Sequence, residues 1–155
     1  MPFAIGLCIT SLLLFLFFGD KIKFPVFIHT CLVASLIATM TDLLMIPYPL
    51  WNYPSQTSWN LYFKQLIHTY TVYPVVVFLF IQALPRKQTF ITVARHIFYW
   101  TIPCILLEWI SLKINYIEHG LWWNLGYSYL SDWILFSLFY MHHKWVMKHV
   151  KEVSE

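Results

Sequence analysis

Five long apolar runs, at 1–18, 24–46, 63–84, 91–112 and 121–141, alternate with four short polar connections, and a polar tail covers 142–155. Within each run the apolar positions are continuous, without the dyad alternation of a barrel strand, and each run is long enough to be a helix. The punctuation agrees: Gly19-Asp20-Lys21, then Pro47 and Pro49, then Pro85, then Gly120. A proline removes a backbone donor and clashes with the preceding turn, so Pro47 and Pro49 mark a firm helix exit. The pattern predicts an all-α fold, a polytopic transmembrane bundle of five helices forming a single domain over 1–155. The first run has neither a basic leader nor a small-residue cleavage site, so it reads as an uncleaved helix, near the lower length for spanning.

Composition sharpens the class. The chain of 155 residues is 59% hydrophobic, 20% aromatic and only 11% charged, whereas soluble domains carry about 25% charged residues. Too few polar residues remain to cover a water-facing surface, and a cell-membrane location follows. The net charge of +3 is spread over short loops and the tail, and gives no footprint for nucleic acid. Cys8, Cys31 and Cys104 each fall inside an apolar run without a CxxC, and read as small buried hydrophobes.

Basic residues set the expected orientation. The side shared by the first loop, third loop and tail holds Lys21, Lys23, Arg86, Lys87, Arg95, Lys144, Lys148 and Lys151, leaving only Lys64 and Lys113 for the other side. By the positive-inside rule the N-terminus lies outside and the C-terminus in the cytoplasm. The connection at 47–62, with Tyr48, Trp51, Tyr53 and Trp59, is then expected to lie along the outer interface as a folded-back aromatic segment.

The ionisable residues inside the runs are the candidate chemistry. Asp42, His68 and Glu108 each stand about one helical turn below the outer interface, on three different helices, and Asp132 lies near the midplane. The spacing predicts a polar layer in which Asp42 and His68 are direct partners and Glu108 is the third member. His119 and Glu118 lie in the loop above. A histidine between carboxylates suits proton relay, acid–base catalysis or weak metal binding, the metal candidates being Asp42, His68, Glu108 and His119. It equally suits interhelical packing, where such bonds contribute only about 0.6 kcal/mol. Pro74 is expected to kink the third helix, with Thr69 and Thr71 hydroxyls helping to satisfy the freed carbonyls; Pro103 is similar. His142-His143 read as interfacial. No HExxH, nucleophile elbow or phosphate loop is present, and no cofactor is expected.

Gly19-Asp20, Asp42-Leu-Leu with Pro49-Leu50-Trp51, His68-Thr69 with Tyr73-Pro74, Glu108-Trp109 and His119-Gly120 together resemble a group of small multi-pass membrane proteins of spore-forming bacteria. The resemblance implies a Gly-Trp pair in the last outer loop, where this chain departs with His119-Gly120-Leu121-Trp122. The resemblance implies topology and no activity. Three functions stay open: a non-enzymatic accessory or assembly protein, the leading expectation; a small ion- or proton-coupled transporter; and an intramembrane enzyme acting on a lipid or isoprenoid through Asp42, His68 and Glu108. The expected surroundings are the lipid bilayer, with a second copy or another membrane protein as partner.

Overall fold

The computed structural model describes residues 2–54 and 58–154. The chain is almost all helix: α1 (Pro2–Phe18), α2 (Phe24–Leu44), α3 (58–82), α4 (Phe90–Lys113) and α5 (Leu125–Ser154). Three helical stretches are long and apolar enough to cross a membrane, namely Phe24–Leu44, Leu61–Gln82 and Phe90–Lys113, while Pro2–Phe18 is apolar but shorter. Wide apolar faces remain uncovered, with Leu12, Phe17, Leu32, Met40, Ile102 and Leu106 all exposed, the pattern of side chains that meet lipid.

Local chemistry sets the boundaries. Asn124 caps α5, its Oδ1 accepting from the backbone N–H groups of Gly126 and Tyr127 at 2.9 and 3.3 Å, so α5 starts at Leu125 rather than 121. With no Gly or Pro to stop it, α5 then continues through the tail to Ser154. Thr89 and Thr92 form a reciprocal capping box at the start of α4. At the other end of α4, Asn115 adopts the left-handed conformation at φ 53°, which asparagine tolerates well.

Helix α3 is not a simple kinked rod. His68–Val72 form a π turn, closed by the Tyr73 N–H donating to the His68 carbonyl. Pro74 follows at once, and the widened turn accommodates its missing donor. Relief for the loosened carbonyls comes from the neighbouring helix: Ser35 Oγ of α2 donates to the Thr69 carbonyl at 2.9 Å. The expected role for the Thr69 and Thr71 hydroxyls is therefore corrected. Thr69 Oγ1 is turned onto Asp42, and Thr71 Oγ1 lies 4.0 Å from Cys8 Sγ.

The two ends of the bundle differ. At one end the connections are tied by a two-stranded antiparallel pair, β1 (Trp51–Asn52) and β2 (Glu118–His119), with Trp51 opposite His119 and Asn52 opposite Glu118. Gly120 N–H extends it, donating to the Leu50 carbonyl at 2.7 Å. A Cβ at Gly120 would stand 2.3 Å from the Pro49 carbonyl oxygen, so only glycine allows this approach. In the described part of the 47–62 connection the chain thus pairs back onto the 114–124 connection. Trp51 and Tyr53 turn over the bundle end, while Trp59 points away and is 85% exposed. Residues 55–57 of that connection lie outside the described residues.

At the opposite end a close-packed core joins Phe27, Cys31, Ala34, Phe78, Phe80, Phe136 and Phe139. Gln82 clamps the α1–α2 turn there, accepting from the Asp20 N–H and donating to the Phe18 carbonyl, each at 2.7 Å. Lys23 ion-pairs with Asp20 at 3.0 Å and holds its carboxyl below the ordinary range. The tail histidines pack along α2: His142 Nδ1 lies 3.0 Å from Thr30 Oγ1, and the buried His143 ring meets Phe27 edge-on.

Candidate functional site

Asp42 lies in the last turn of α2, and its Oδ2 accepts from Thr69 Oγ1 at 3.1 Å. It makes no hydrogen bond to His68. The expected Asp42–His68 pair is corrected, and the reason is rotational. Neighbouring residues on a helix diverge by about 100°, so when Thr69 faces α2 the His68 ring faces elsewhere. That ring stacks on Tyr116, with centroids 5.6 Å apart and planes at 29°, and lies 5.9 Å from Tyr53. Its Nε2 is buried and has no hydrogen-bond partner among the described residues.

Glu108 is likewise not the third member of an Asp42–His68 layer. Its Oε1 accepts from His119 Nε2 at 2.7 Å and from the Ser128 hydroxyl in a short bond. Trp123 Nε1 in turn donates to Ser128 Oγ at 2.8 Å. Serine, histidine and glutamate meet here without making a nucleophilic triad. The Ser128 proton is directed to the carboxylate, and His119 stands on that same carboxylate rather than on the serine. The arrangement instead fixes the loop bearing β2 to α4 and α5.

Asp132, on α5, makes no hydrogen bond or ion pair among the described residues. It lines a cavity of about 470 Å³ enclosed by α2, α3, α4, α5 and the two tied connections. The four candidate residues converge on this space, for Asp42, His68 and Glu108 line it as well. Its walls are mostly apolar and rich in aromatic rings, with Trp51, Tyr53 and Trp123 towards the tied end and Phe136 and Phe139 towards the packed core. No lysine or arginine lines it. Lys64 is the nearest buried cation to the His68 ring stack. It lies 4.9 Å over the centre of the Tyr116 ring and donates to the Pro54 carbonyl at 2.7 Å. Burial pushes the Tyr53 and Tyr116 hydroxyls well above their ordinary range, so both remain neutral phenols.

Metal chemistry finds no support in this geometry. Among the described residues no three His, Cys, Asp or Glu side chains gather as a ligand group, so Asp42, His68, Glu108 and His119 do not form one set. Several contributors escape a reading by depth alone, chiefly Thr69, Ser128 and Tyr73. Ser128 carried a usable signal: it stands four residues before Asp132, one turn away on the same face. Comparison with family models, curated proteins and solved structures finds no match for this chain.

Proposed function

We propose that the chain is a five-span cell-membrane protein, N-terminus outside and C-terminus cytoplasmic, whose outer half holds a small ligand without transforming it. The eight-to-two division of basic residues supports this orientation, in which the tied connections face outward. One observation carries the binding role. Four helices each send a titratable side chain to one cavity, and two of these lack partners among the described residues: Asp132 makes no hydrogen bond there, and the buried His68 Nε2 has none. An accessory protein that used its polar groups only as interhelical glue accounts for Glu108 with His119 and for Asp42 with Thr69. It leaves Asp132 and His68 without purpose, although polar groups in hydrocarbon are costly. The volume falls within the range of about 300–1,000 Å³ common for ligand pockets.

Kinship with the small multi-pass proteins of spore-forming bacteria is part of this reading. The motif pieces that carry the resemblance bond to one another: Asp42 to Thr69, Glu108 to His119, and Leu50 to Gly120. Leu121, in the same loop, is held at φ 48°, a backbone that glycine adopts freely and leucine only under strain.

The test is accessibility. Ser131 lines the cavity, and Ser131→Cys is placed in a chain with Cys8, Cys31 and Cys104 replaced by serine. A small impermeant thiosulfonate added outside intact cells should label it. Labelling only after the membrane is dissolved would show that the cavity does not open outward.

A further inference from the structure

The chemistry of the cavity walls goes further than the binding role, on which this inference rests. Its walls carry three carboxyl groups set among neutral hydroxyl and indole groups. Asp42, Glu108 and Asp132 supply these carboxyl groups from three helices, and His68 adds a buried Nε2 with no partner among the described residues. Glu108 is already engaged by His119 and Ser128, and Asp42 receives one hydroxyl from Thr69. Asp132 receives nothing among the described residues. No lysine or arginine among the described residues lines the space to balance these acids. Lys64 is held away by the Pro54 carbonyl and the Tyr116 ring.

We propose that the cavity binds an organic monocation with an apolar body, its ammonium group set against Asp132 and within the field of Asp42. A carboxylate at such a depth is expensive unless a cation or donor meets it. The remaining walls suit the rest of such a molecule. Trp51, Tyr53 and Trp123 offer ring faces that attract a cation through their quadrupoles, and Phe136 and Phe139 offer a dry surface for its carbon skeleton. An inorganic cation would gain little from these walls, and no oxygen cage of the kind hard cations require is assembled. An anion would meet three carboxyl groups and no cationic partner.

The experiment uses the full chain in phosphatidylcholine nanodiscs, with empty nanodiscs as the reference for partition into lipid. Three isosteric probes are titrated by calorimetry: 2-phenylethylammonium, neutral 2-phenylethanol and anionic 3-phenylpropanoate. The ammonium compound should bind at least about tenfold tighter than the alcohol, with the carboxylate weakest. Asp132→Asn should remove about tenfold of that affinity and leave the alcohol unchanged. Asp42→Asn, which keeps an acceptor for Thr69, gives an independent variant if Asp132→Asn does not fold, with an expected loss of about threefold. Equal binding of ammonium and alcohol, or insensitivity to both substitutions, overturns the cationic ligand and leaves a neutral-ligand cavity standing. If no probe binds while Ser131→Cys is labelled from outside, the ligand class is again overturned. If no probe binds and Ser131→Cys is not labelled, the binding reading falls with it.

Discussion

The two ends of this bundle use the same apolar alphabet and solve the membrane problem differently. At the packed end, phenylalanines from α2, α3 and α5 close around Cys31 and Ala34, and polar groups are consumed locally: His96 Nε2 meets the Phe80 carbonyl at 3.0 Å, and Gln82 closes the α1–α2 turn. At the tied end the same helices stand around a cavity, and their polar side chains face into it. Lipid tails are as apolar as leucine, so helices in a membrane are held by close packing and by polar bonds rather than by escape from water. One end spends its surface on packing. The other leaves it open, and needs a strand pair and the Glu108 hub to keep its walls in place.

The largest effect should therefore come from the packed end. Phe78 is 2% exposed and touches the rings of Phe15, Phe24 and Phe27. Phe78→Ala should cost about 3 kcal/mol, through lost contacts and a cavity the helices cannot collapse. Denaturant unfolding in bicelles reads this directly, and Ser131→Cys labelling should stay as in the parent chain. A cost under about 1 kcal/mol would mean that this end is looser than its packing implies.

A smaller effect, confined to the tied end, is expected of Gly120→Ala. Its new Cβ would press on the Pro49 carbonyl oxygen, and the backbone must move to make room. Overpacking of this kind costs about 1–3 kcal/mol. The change should also separate β1 from β2 and speed thiol labelling at Ser131→Cys. Unchanged stability together with unchanged labelling would show that the strand pair does not hold the cavity closed.

What could be read from the sequence divides along the same line. Apolar runs and proline stops located the helices, because one-dimensional hydropathy and backbone chemistry set those features. Depth below the interface placed Asp42, His68 and Glu108 near one another, and all three do line one cavity. Depth says nothing about rotation, so it paired Asp42 with His68, whereas the π turn at His68–Val72 presents Thr69 instead. The Glu108–His119 bond was hidden for another reason. It needs the chain to turn back after α4, at Asn115 in the left-handed conformation, before β2 can bring His119 down onto the helix. Ser35 was overlooked because a small hydroxyl inside an apolar run carries no signal until the helix faces are known.

The smallest effect is a coupling, and it separates the observed wiring from the depth-based one. Asp42 and Thr69 share a hydrogen bond of 3.1 Å between α2 and α3. Interhelical bonds of this kind average about 0.6 kcal/mol and reach about 1.7, so Asp42→Ala and Thr69→Val should fall short of additivity by an amount in that range. Asp42→Ala with His68→Leu should instead be additive within about 0.5 kcal/mol, since the histidine packs on Tyr116 and Tyr53 and gives nothing to the carboxylate. The sign of the His68 change alone is informative as well. Its Nε2 has no partner to lose among the described residues, so a leucine that fills the space between the tyrosines should be neutral or mildly stabilising. Both double-mutant cycles can be read from the same unfolding transition in bicelles. A coupling above about 1 kcal/mol between Asp42 and His68, with none between Asp42 and Thr69, would restore the pair that depth alone suggested and would reassign the turn at His68.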